Sequence, residues 1–451
     1  MVDVGAGAGF PGIVTKIYKA VKILLLILEN FVNCEVSVLF LKKHFTIIGL
    51  ACVLSVPAVD AGAEGFAINE WSAEGVAMGG ARMFAENDAA NIAYNPASIT
   101  KVRGEAFKQS AVYISPHGKY TAYDATGKPI DEGKNVVHAG WAPGNYYVKQ
   151  LNDKDWIGIG LFSRFGMISE FERDSKVASN AFFSRLNGAS LTPTYARKFD
   201  NKWSAAVGAE VNYVGLELQK NVFYNSVPTQ TKGESWALGW NAAANYAFDS
   251  KNEIGLVYRS KVTHTMDADF RGYSSGITGS DHFTKAHGKV TLPDSWAIGY
   301  NHKFDDRTRV ELNGTYTKWS TYDALNITFD DKFLGQSGSY SQKNWSNGWR
   351  YALGVEHKLS DKYTIMGGYA YDESVIPFDG ADFIVPTGAR RTYSLGFQYH
   401  DKKQTLAMTL GFIDIDGLSI KGHVAAGDTY DTARSHDNYA KVVGISYQRN
   451  F

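Results

Sequence analysis

Residues 236–248 read WALGWNAAANYAF, and this stretch decides the fold class of the chain. Its even-numbered positions carry tryptophan, leucine, tyrosine, phenylalanine and two alanines, whereas its odd-numbered positions carry only alanine, glycine and asparagine. A period of two places these two sets on opposite faces of a β-strand. The same alternation returns in run after run from residue 106 to residue 451, so the sequence predicts an all-β protein.

Strands with one apolar and one polar face fit two architectures. A soluble sandwich buries the apolar faces in its core, whereas a membrane barrel turns them towards lipid and keeps polar residues in its lumen. Three features favour the barrel. Aromatic residues stand beside short polar turns at 248–252 and 304–307, long connections lie at 271–283 and 330–344, and the chain ends within an alternating segment on Phe451.

The alternating segments number fourteen, an even count that suits a closed antiparallel barrel. They begin near residues 106, 136, 155, 188, 202, 234, 252, 284, 307, 346, 362, 389, 403 and 438. Each segment with its connection takes about 25 residues, which is enough because one crossing needs about 10. We therefore predict a 14-stranded antiparallel transmembrane β-barrel over residues 106–451. Its lumen is wider than its own side chains can fill.

Residues 64–105 do not alternate. Asp88 can cap a short helix through Tyr94, because a carboxylate accepts the free N–H groups of a first helical turn. Asn95 precedes Pro96, so it should end that helix and cap the next turn. The segment is either an ordinary N-terminal cap of two short helices or an N-terminal helical hatch that plugs the lumen. Because a wide barrel must be filled, we predict the hatch.

The segment before the hatch resembles a leader. Residues 42–63 contain a basic start, an apolar run of signal-peptide length and a small-residue cleavage pattern at 61–63, with cleavage after Ala58 as the alternative. We interpret residues 1–41 as an over-extended gene start. Both cysteines lie before residue 64, so cleavage would leave a mature chain without a disulfide or a thiol nucleophile.

The composition and motifs give little support to other functions. Basic and acidic residues number 46 each, so there is no electrostatic reason to expect nucleic acid. Residues 272–276 match the G-x-S-x-G pattern around Ser274, but they lie between strands rather than on a strand-to-helix turn. We predict no catalytic residue, no metal and no cofactor, and keep a barrel lipase or esterase using Ser274 as the alternative. Asp372 and Glu373 face opposite sides of a strand, and we interpret them as a solvated rim.

Three motifs carry a family resemblance: GFAINEWSAEG at 65–75, NPASIT at 95–100 and LPDSW at 292–296, together with the terminal Phe451. With them the chain resembles the FadL/TodX (OmpP1) family, outer-membrane transporters of long-chain fatty acids and other hydrophobic compounds. The resemblance implies a hatch-plugged barrel in the outer membrane of a Gram-negative bacterium, with passive, porin-like uptake. Ligand would bind in an apolar lumenal pocket, the hatch would rearrange, and a kink in the third strand would release the ligand sideways into the membrane.

The resemblance also implies the partners. These are a hydrophobic small-molecule ligand (fatty acid or hydrocarbon), outer-membrane lipid and lipopolysaccharide, and the barrel assembly machinery during biogenesis. That machinery recognises a terminal aromatic strand, and Arg449 departs from the apolar residue usual at its place. We expect a monomer that binds no nucleic acid.

By motif, Phe66 is the hatch residue near the pocket, and Asn95, Pro96 and Ala97 form the hatch turn. Gly166, in the run SRFGMISEF, is where we place the inward deviation of the third strand. A glycine-containing irregularity there fits a β-bulge, with an ordinary strand end as the alternative.

The sequence departs from the fatty-acid transporters where basic residues would meet a ligand carboxylate. Gly215 stands where the fifth strand should carry an arginine, and Asn326 where the ninth should carry a lysine. Lys220, Arg259 or Lys318 are the candidate substitutes. Since an unpaired buried carboxylate is costly, either another base serves or the cargo is less charged, such as a hydrocarbon or an aromatic compound.

Overall fold

The computed structural model describes residues 65–135, 139–424 and 427–451. The expected gene start, the expected signal peptide and residue 64 lie outside the described residues.

The described residues form twenty-one strands. In chain order they are β1 (Glu105–Tyr123), β2 (Pro129–Lys134), β3 (Gly140–Gln150), β4 (Asp155–Phe162), β5 (Gly166–Glu170), β6 (Phe183–Lys198), β7 (Trp203–Val222), β8 (Val227–Ala247), β9 (Asn252–Arg259), β10 (Val262–Gly272), β11 (His282–Leu292), β12 (Ser295–Lys303), β13 (Thr308–Thr317), β14 (Ala324–Phe333), β15 (Gln336–Gln342), β16 (Gly348–Lys358), β17 (Tyr363–Asp372), β18 (Arg390–His400), β19 (Gln404–Ile415), β20 (Ser419–Lys421) and β21 (Thr432–Asn450).

Fourteen of these strands form a closed antiparallel wall, which confirms the predicted strand number. The order is β1, β3, β4, β6, β7, β8, β9, β12, β13, β16, β17, β18, β19 and β21, each paired with the next. The last strand then pairs with the first, from Ala106 opposite Asn450 to Tyr123 opposite Thr432. A ring closed in this way pairs the backbone groups of neighbouring wall strands with one another, as the bilayer core requires.

The remaining strands extend the wall at one end. A ladder runs from β8 through β10, β11 and β14 to β15. Strand β2 pairs with the end of β1, and β20 pairs with β21. Strand β5 pairs with β6. With 20 and 21 residues, β7 and β8 are about twice the length needed to cross a bilayer. The barrel therefore rises well above the membrane on this side.

The side chains decide between the sandwich and the barrel. Trp236, Leu238 and Trp240 are 68%, 78% and 53% exposed, whereas Asn241 and Asn245 on the opposite face are 0% and 5% exposed. A sandwich would show the reverse, because its apolar faces meet in the core. The exposed apolar face is the lipid-facing surface of a membrane barrel, and the polar face is covered from within.

Short turns gather at one end of the wall and share one chemical device. Asp200, Asp249, Asp305 and Asp401 each accept backbone N–H bonds from the residues two and three places later, at 2.7–2.9 Å. Such an Asx turn reverses the chain within four residues. This is the end where short turns are expected on the periplasmic side.

Some strand boundaries differ from the sequence prediction. The segment expected near residue 284 is β11, which lies beyond the wall, and the wall strand β12 begins only after Pro293, whose missing N–H interrupts the ladder. Strands β6, β8 and β21 begin at Phe183, Val227 and Thr432, earlier than predicted. Above the bilayer the outer face has no lipid to contact, so apolar alternation fades there. The predicted loop 271–283 is mostly the tip of the hairpin formed by β10 and β11. Most of the predicted loop 330–344 lies in the strands of the hairpin formed by β14 and β15.

The hatch is compact and lies inside the ring. Its helices are Ala73–Ala77 and Asn91–Tyr94, followed by the 3₁₀ helix Pro96–Lys101. The other short helices are Ser275–Thr278, Lys176–Ser179 and Trp319–Thr321. Among the described residues, no helix combines the length and apolar character needed to span a membrane.

Candidate functional site

Phe66 lies at the upper end of the hatch inside an aromatic cage, which we call the Phe66 cage. Phe66 is 2% exposed. The ring centroids of Trp319, Tyr322, Trp345 and Phe165 lie 4.8, 5.5, 5.9 and 6.0 Å from its own. Three of the four contacts are edge-to-face, the arrangement favoured by aromatic quadrupoles. Trp319 and Tyr322 come from the 3₁₀ turn after β13, and Trp345 from the connection before β16.

The backbone around Phe66 is hydrogen-bonded to the third wall strand. The Gly166 N–H donates to the Phe66 carbonyl at 2.9 Å, and the Ile68 N–H donates to the Arg164 carbonyl at 2.8 Å. Between these bonds Ala67 forms an antiparallel bridge with Phe165. The start of the hatch thus adds a short strand to the barrel wall from the inside.

This contact occurs where the third strand is interrupted. Strand β4 ends with Phe162 opposite Ser190, and β5 begins with Gly166 opposite Asn187. Three residues between these pairs on the third strand, 163–165, match two on β6, 188–189, so the third strand contains one extra residue, as in a β-bulge. Strand β3 pairs with β4 only as far as Leu161, and the described pairings of β5 are all to β6. The wall therefore parts between β3 and β5.

The hatch turn lies at the opposite, short-turn end. Asn95 Oδ1 accepts the Ala97 N–H at 3.1 Å and caps the 3₁₀ helix that starts with Pro96, as the sequence predicted. Asn95 Nδ2 donates to Asn245 Oδ1 at 2.6 Å, and Asn245 Nδ2 donates to Ser98 Oγ at 2.9 Å. Asn95 and Ala97 are fully buried. Side-chain amides thus join the turn to the lower end of β8.

Buried ion pairs hold the middle of the hatch. Arg82 contacts Asp88 at 3.2 Å and Glu356 at 2.9 Å, and Lys108 contacts Asp88 at 2.8 Å and Glu74 at 2.9 Å. Burial alone would raise the pKa of the Asp88 carboxyl, but Lys108 and Arg82 outweigh burial and lower that pKa to about 2. Asp88 accepts the Ala90 N–H, but Ala90 is the N-cap of the helix Asn91–Tyr94 and no side chain caps it, so the predicted cap at Asp88 was wrong.

Arg259 belongs to the same set of anchors. Its Nη1 atom pairs with Glu210 at 2.8 Å, and its Nη2 atom donates to the carbonyls of Ile92 and Ala93 at 3.1 and 2.7 Å. Glu210 also pairs with Arg164 at 2.7 Å. A guanidinium that contacts three oxygens in this way stabilises the hatch against the wall. It also lines a cavity of about 80 Å³ next to the Phe66 cage.

The other two predicted cations differ from each other. Lys220, near the upper end of β7, is half-buried, and its Nζ atom lies 3.4 Å from Ser339 Oγ. Lys318 is exposed, and its backbone N–H donates to the Asp294 carbonyl. The sequence did not single out Lys343, which is 1% exposed and paired with Asp382. Only Lys220 of the three predicted cations is both inside the extended barrel and free of a carboxylate partner among the described contacts.

Of the two positions where a base was missing, one lies in the expected wall strand and the other does not. Gly215 lies in the fifth wall strand, paired with Asn187 and Glu234. Asn326 is exposed and lies in β14, outside the wall, so its assignment to the ninth strand was wrong. The ninth wall strand is β13. The shift follows from the extra hairpin β14–β15, which alternates like a wall strand.

The remaining sequence candidates have local roles. Ser274 precedes the helix Ser275–Thr278, and its Oγ atom donates to the Ser280 carbonyl at 3.1 Å and lies 3.0 Å from Thr278 Oγ1. These bonds fold a loop tip. The predicted solvated rim was wrong for Asp372, which is 0% exposed and pairs with Arg350 at 2.6 Å. It faces the lumen, where the hatch covers it.

Free space next to the Phe66 cage is small. A cavity of about 80 Å³ lies below it, lined by Ala67, Phe165 and Thr317 among others. A cavity that takes up benzene measures about 150 Å³. A molecule with a long alkyl chain therefore fits only after the hatch or the cage has moved.

The residues that sequence reasoning missed are the lumenal partners of the hatch. Glu210 and Glu311 are buried and Glu356 is half-buried, and all three lie on wall strands and face the hatch. Arg309 joins the last two at 2.9 and 3.0 Å. The available signal was charge on the polar face of lipid-crossing strands, where an ionisable side chain needs an internal partner.

A family model described as outer membrane protein transport protein (OMPP1/FadL/TodX) matches residues 54–451. The long-chain fatty acid transport protein of Escherichia coli O6:H1 is 28% identical over 398 residues, covering 79% of this chain and 88% of that protein. Outer membrane protein P1 of Haemophilus influenzae is 27% identical over 469 residues, covering 91% of this chain and 100% of the relative.

Solved structures match the fold over most of the chain. A Pseudomonas aeruginosa FadL homologue superposes with a TM-score of 0.77 at 18% identity, covering 86% of this chain and 100% of that one. The toluene transporter TodX of P. putida superposes with a TM-score of 0.65 at 17% identity, covering 84% and 98%. At these identities the likeness bears on the fold.

Proposed function

This chain belongs to the outer membrane protein transport family OMPP1/FadL/TodX, and we propose that it takes up hydrophobic molecules passively across the outer membrane. The observation that carries the proposal is the contact between the hatch and the interrupted third strand, next to an aromatic cage. Relatives are named for long-chain fatty acids and for toluene. We infer that the cargo belongs to this range of apolar compounds and that no covalent chemistry takes place.

In the proposed mechanism the cargo enters the Phe66 cage from outside and takes the place of the Phe66 ring. The driving force is the removal of apolar area from water, about 25 cal/mol per Å² buried. Displacement of Phe66 pulls on its hydrogen bond with Gly166 and on the bridge between Ala67 and Phe165. When these hatch contacts break, the gap between β3 and β5 widens. The cargo then leaves sideways into lipid.

We assign the hatch turn at Asn95, Pro96 and Ala97 to gating. Its amide contacts at the short-turn end keep the lumen closed while the upper end moves. Lateral release requires only the upper end to rearrange, so no continuous water channel needs to form. Lys220 is the candidate for a charged head group, and Arg259 serves as an anchor in the closed state.

A reversible disulfide tests the mechanism. Antiparallel partners have Cα atoms about 4.5–5.5 Å apart, which suits a disulfide. We expect Ala67→Cys/Phe165→Cys, made with Cys34→Ser and Cys52→Ser, to lose uptake of radiolabelled oleate under oxidising conditions and to regain it with reductant. The control Leu410→Cys/Val443→Cys joins β19 to β21 and should transport equally in both conditions. Undiminished uptake by the oxidised, cross-linked hatch would rule the mechanism out.

The remaining proposals concern biogenesis and surroundings. We propose that residues 42–63 are removed as a signal peptide and that the assembly machinery reads the terminal strand β21. Outer-membrane lipid and lipopolysaccharide cover the exposed apolar face. Because the ring closes between β21 and β1 and the parting between β3 and β5 is short, the wall offers no long free edge to another copy, which supports a monomer.

A further inference from the structure

Two indole groups of the Phe66 cage lack hydrogen-bond partners. Trp319 is 0% exposed and Trp345 is 3% exposed. Neither Nε1 atom has an acceptor among the described residues. Their ring centroids lie 5.2 Å apart, so two N–H donors belong to one small region of the lumen.

Two other tryptophans inside the barrel, the half-buried Trp71 and the buried Trp156, behave differently. Trp71 Nε1 donates to the Ser163 carbonyl at 2.7 Å, and Trp156 Nε1 donates to the Val102 carbonyl at 2.8 Å. Leaving a buried donor unpaired destabilises a protein by about 1–3 kcal/mol, and native structures avoid it. Trp71 and Trp156 thus have acceptors for their indole N–H groups. The indole N–H groups of Trp319 and Trp345, which contact Phe66, have none among the described residues.

Among the described residues, the carboxylate that acts on the cage, Asp382, is already hydrogen-bonded and paired. Phe66 and Phe165 have no polar side-chain atoms. Asp382 accepts hydrogen bonds from the backbone N–H groups of Ile384 and Val385 at 3.1 and 3.3 Å, and it is paired with Lys343. Burial, and after it the charge of Asp382, raises the pKa of Tyr322, so this phenol stays protonated. Among the described side chains of the cage, the two indoles are donors only, and the Tyr322 hydroxyl is the one side-chain acceptor.

We propose that the Phe66 cage recognises cargo by an acceptor oxygen. Trp319 and Trp345 donate their indole N–H groups to a carboxylate, carbonyl or hydroxyl oxygen at the end of an apolar chain, and the aromatic rings pack against the first carbons of that chain. The cargo class is then an oxygen-bearing amphiphile, with plain hydrocarbons as weaker ligands. This inference rests on the proposed function, because it assumes that cargo enters the cage.

Three probes of equal chain length test it: decanoate, 1-decanol and n-decane. Equilibrium binding of each is measured with the full-length protein and with Trp319→Phe, Trp345→Phe and the double variant, at a fixed detergent concentration. Phenylalanine keeps an aromatic ring and removes the N–H. Each indole should contribute about two- to tenfold to the affinity for an acceptor probe. The control Trp349→Phe lies on the lipid-facing surface and should change nothing.

Weaker binding of decanoate and 1-decanol with unchanged binding of decane supports the inference. Weaker binding of decanoate alone also supports it and makes the acceptor a carboxylate. Equal losses for all three probes, or no loss for any, overturn it and leave the proposed function intact. A wild-type protein that binds none of the probes saturably would overturn the proposed function as well.

Discussion

Asn95 uses both ends of its amide, which explains why this position suits asparagine. The carbonyl oxygen caps the 3₁₀ helix, and the amino group reaches Asn245 on the wall. Neither an aliphatic residue nor a carboxylate supplies both a donor and an acceptor. A single side chain therefore sets the local backbone of the hatch and attaches it to the barrel.

We expect Asn95→Ala to loosen the hatch turn. The substitution leaves Asn245 Oδ1 without the donor Asn95 Nδ2, and an unpaired buried group costs about 1–3 kcal/mol. Amide hydrogen exchange at residues 91–101, measured by mass spectrometry in detergent, should be about 5- to 100-fold faster. Asn201→Ala in an exposed turn is the control. Unchanged exchange would show that the turn is held by packing alone.

Two adjacent glycines offer a second comparison at the level of single residues. A Cβ atom on Gly368 would overlap the backbone of Met78 and Gly79, whereas one on Gly367 would meet Leu395 at 3.6 Å, an ordinary contact. We expect Gly368→Ala to displace the hatch and lower the stability by about 1–3 kcal/mol, and Gly367→Ala to be nearly neutral. Thermal unfolding followed by circular dichroism measures both. Equal melting temperatures would contradict the close approach of hatch and wall.

At the level of elements, the hatch is attached in two different ways. Its upper end is bound to the third strand by two backbone hydrogen bonds and one bridge, which exchange readily for similar bonds elsewhere. Its middle is held by buried ion pairs around Asp88, Arg82 and Lys108. Removing one partner of a buried pair is strongly destabilising, because the other charge stays unpaired. The upper end is therefore the element that can move.

The ion pairs predict a dependence on acid. The pKa of Asp88 is about 2 in the folded protein and about 3.9 in an unfolded chain. A lowered pKa means that the contribution, about 2 kcal/mol, is complete above pH 5 and is lost as the pH falls towards 2. We expect limited proteolysis of the hatch to accelerate over this range.

The variant Asp88→Asn serves as the control for this prediction. It cannot titrate, so its hatch should already be loosened at pH 7 and should respond less between pH 5 and 2. Identical acid profiles for the variant and the wild-type protein would assign the transition to other carboxylates.

For the whole molecule, the closure of the barrel wall and the filling of its lumen depend on different contacts. The wall pairs most of its backbone within the ring of fourteen strands, and the hatch adds backbone bonds to it beside the interruption of the third strand. Lumenal charges such as Glu210 and Arg309 would meet water if the hatch were absent, and hydration offsets the loss of their partners. The barrel should thus be able to fold on its own.

We expect deletion of residues 65–102 to give a folded but open barrel. Circular dichroism should show a β-spectrum close to that of the intact protein, and single-channel conductance in planar bilayers should rise severalfold. The intact protein in the same bilayers is the reference. A deletion variant that lacks β-structure would mean that the hatch is needed to close the ring.

The sequence by itself determined the wall, the short turns and the hatch. These depend on local patterns: alternation with a period of two, aspartate in four-residue turns, and an asparagine–proline pair at a helix boundary. Such patterns are read within ten residues, and they gave the strand number and the cap at Asn95 correctly. Where strands rise above the lipid the pattern weakens, and the boundaries of β8 and β12 were accordingly misplaced.

Only the tertiary structure decided which distant residues meet. Ring closure brings Phe66, Phe165, Trp319 and Trp345 into one cage, although they lie up to 279 positions apart in the sequence. Ring closure also brings Arg259 into contact with Glu210 and with two carbonyls of the hatch. It buries Asp372 beside Arg350. Alternation shows that a side chain faces the lumen. Its partner across the lumen depends on the strand register and on the path of the hatch. The physical reason is that contact energies there act between residues that no local pattern connects.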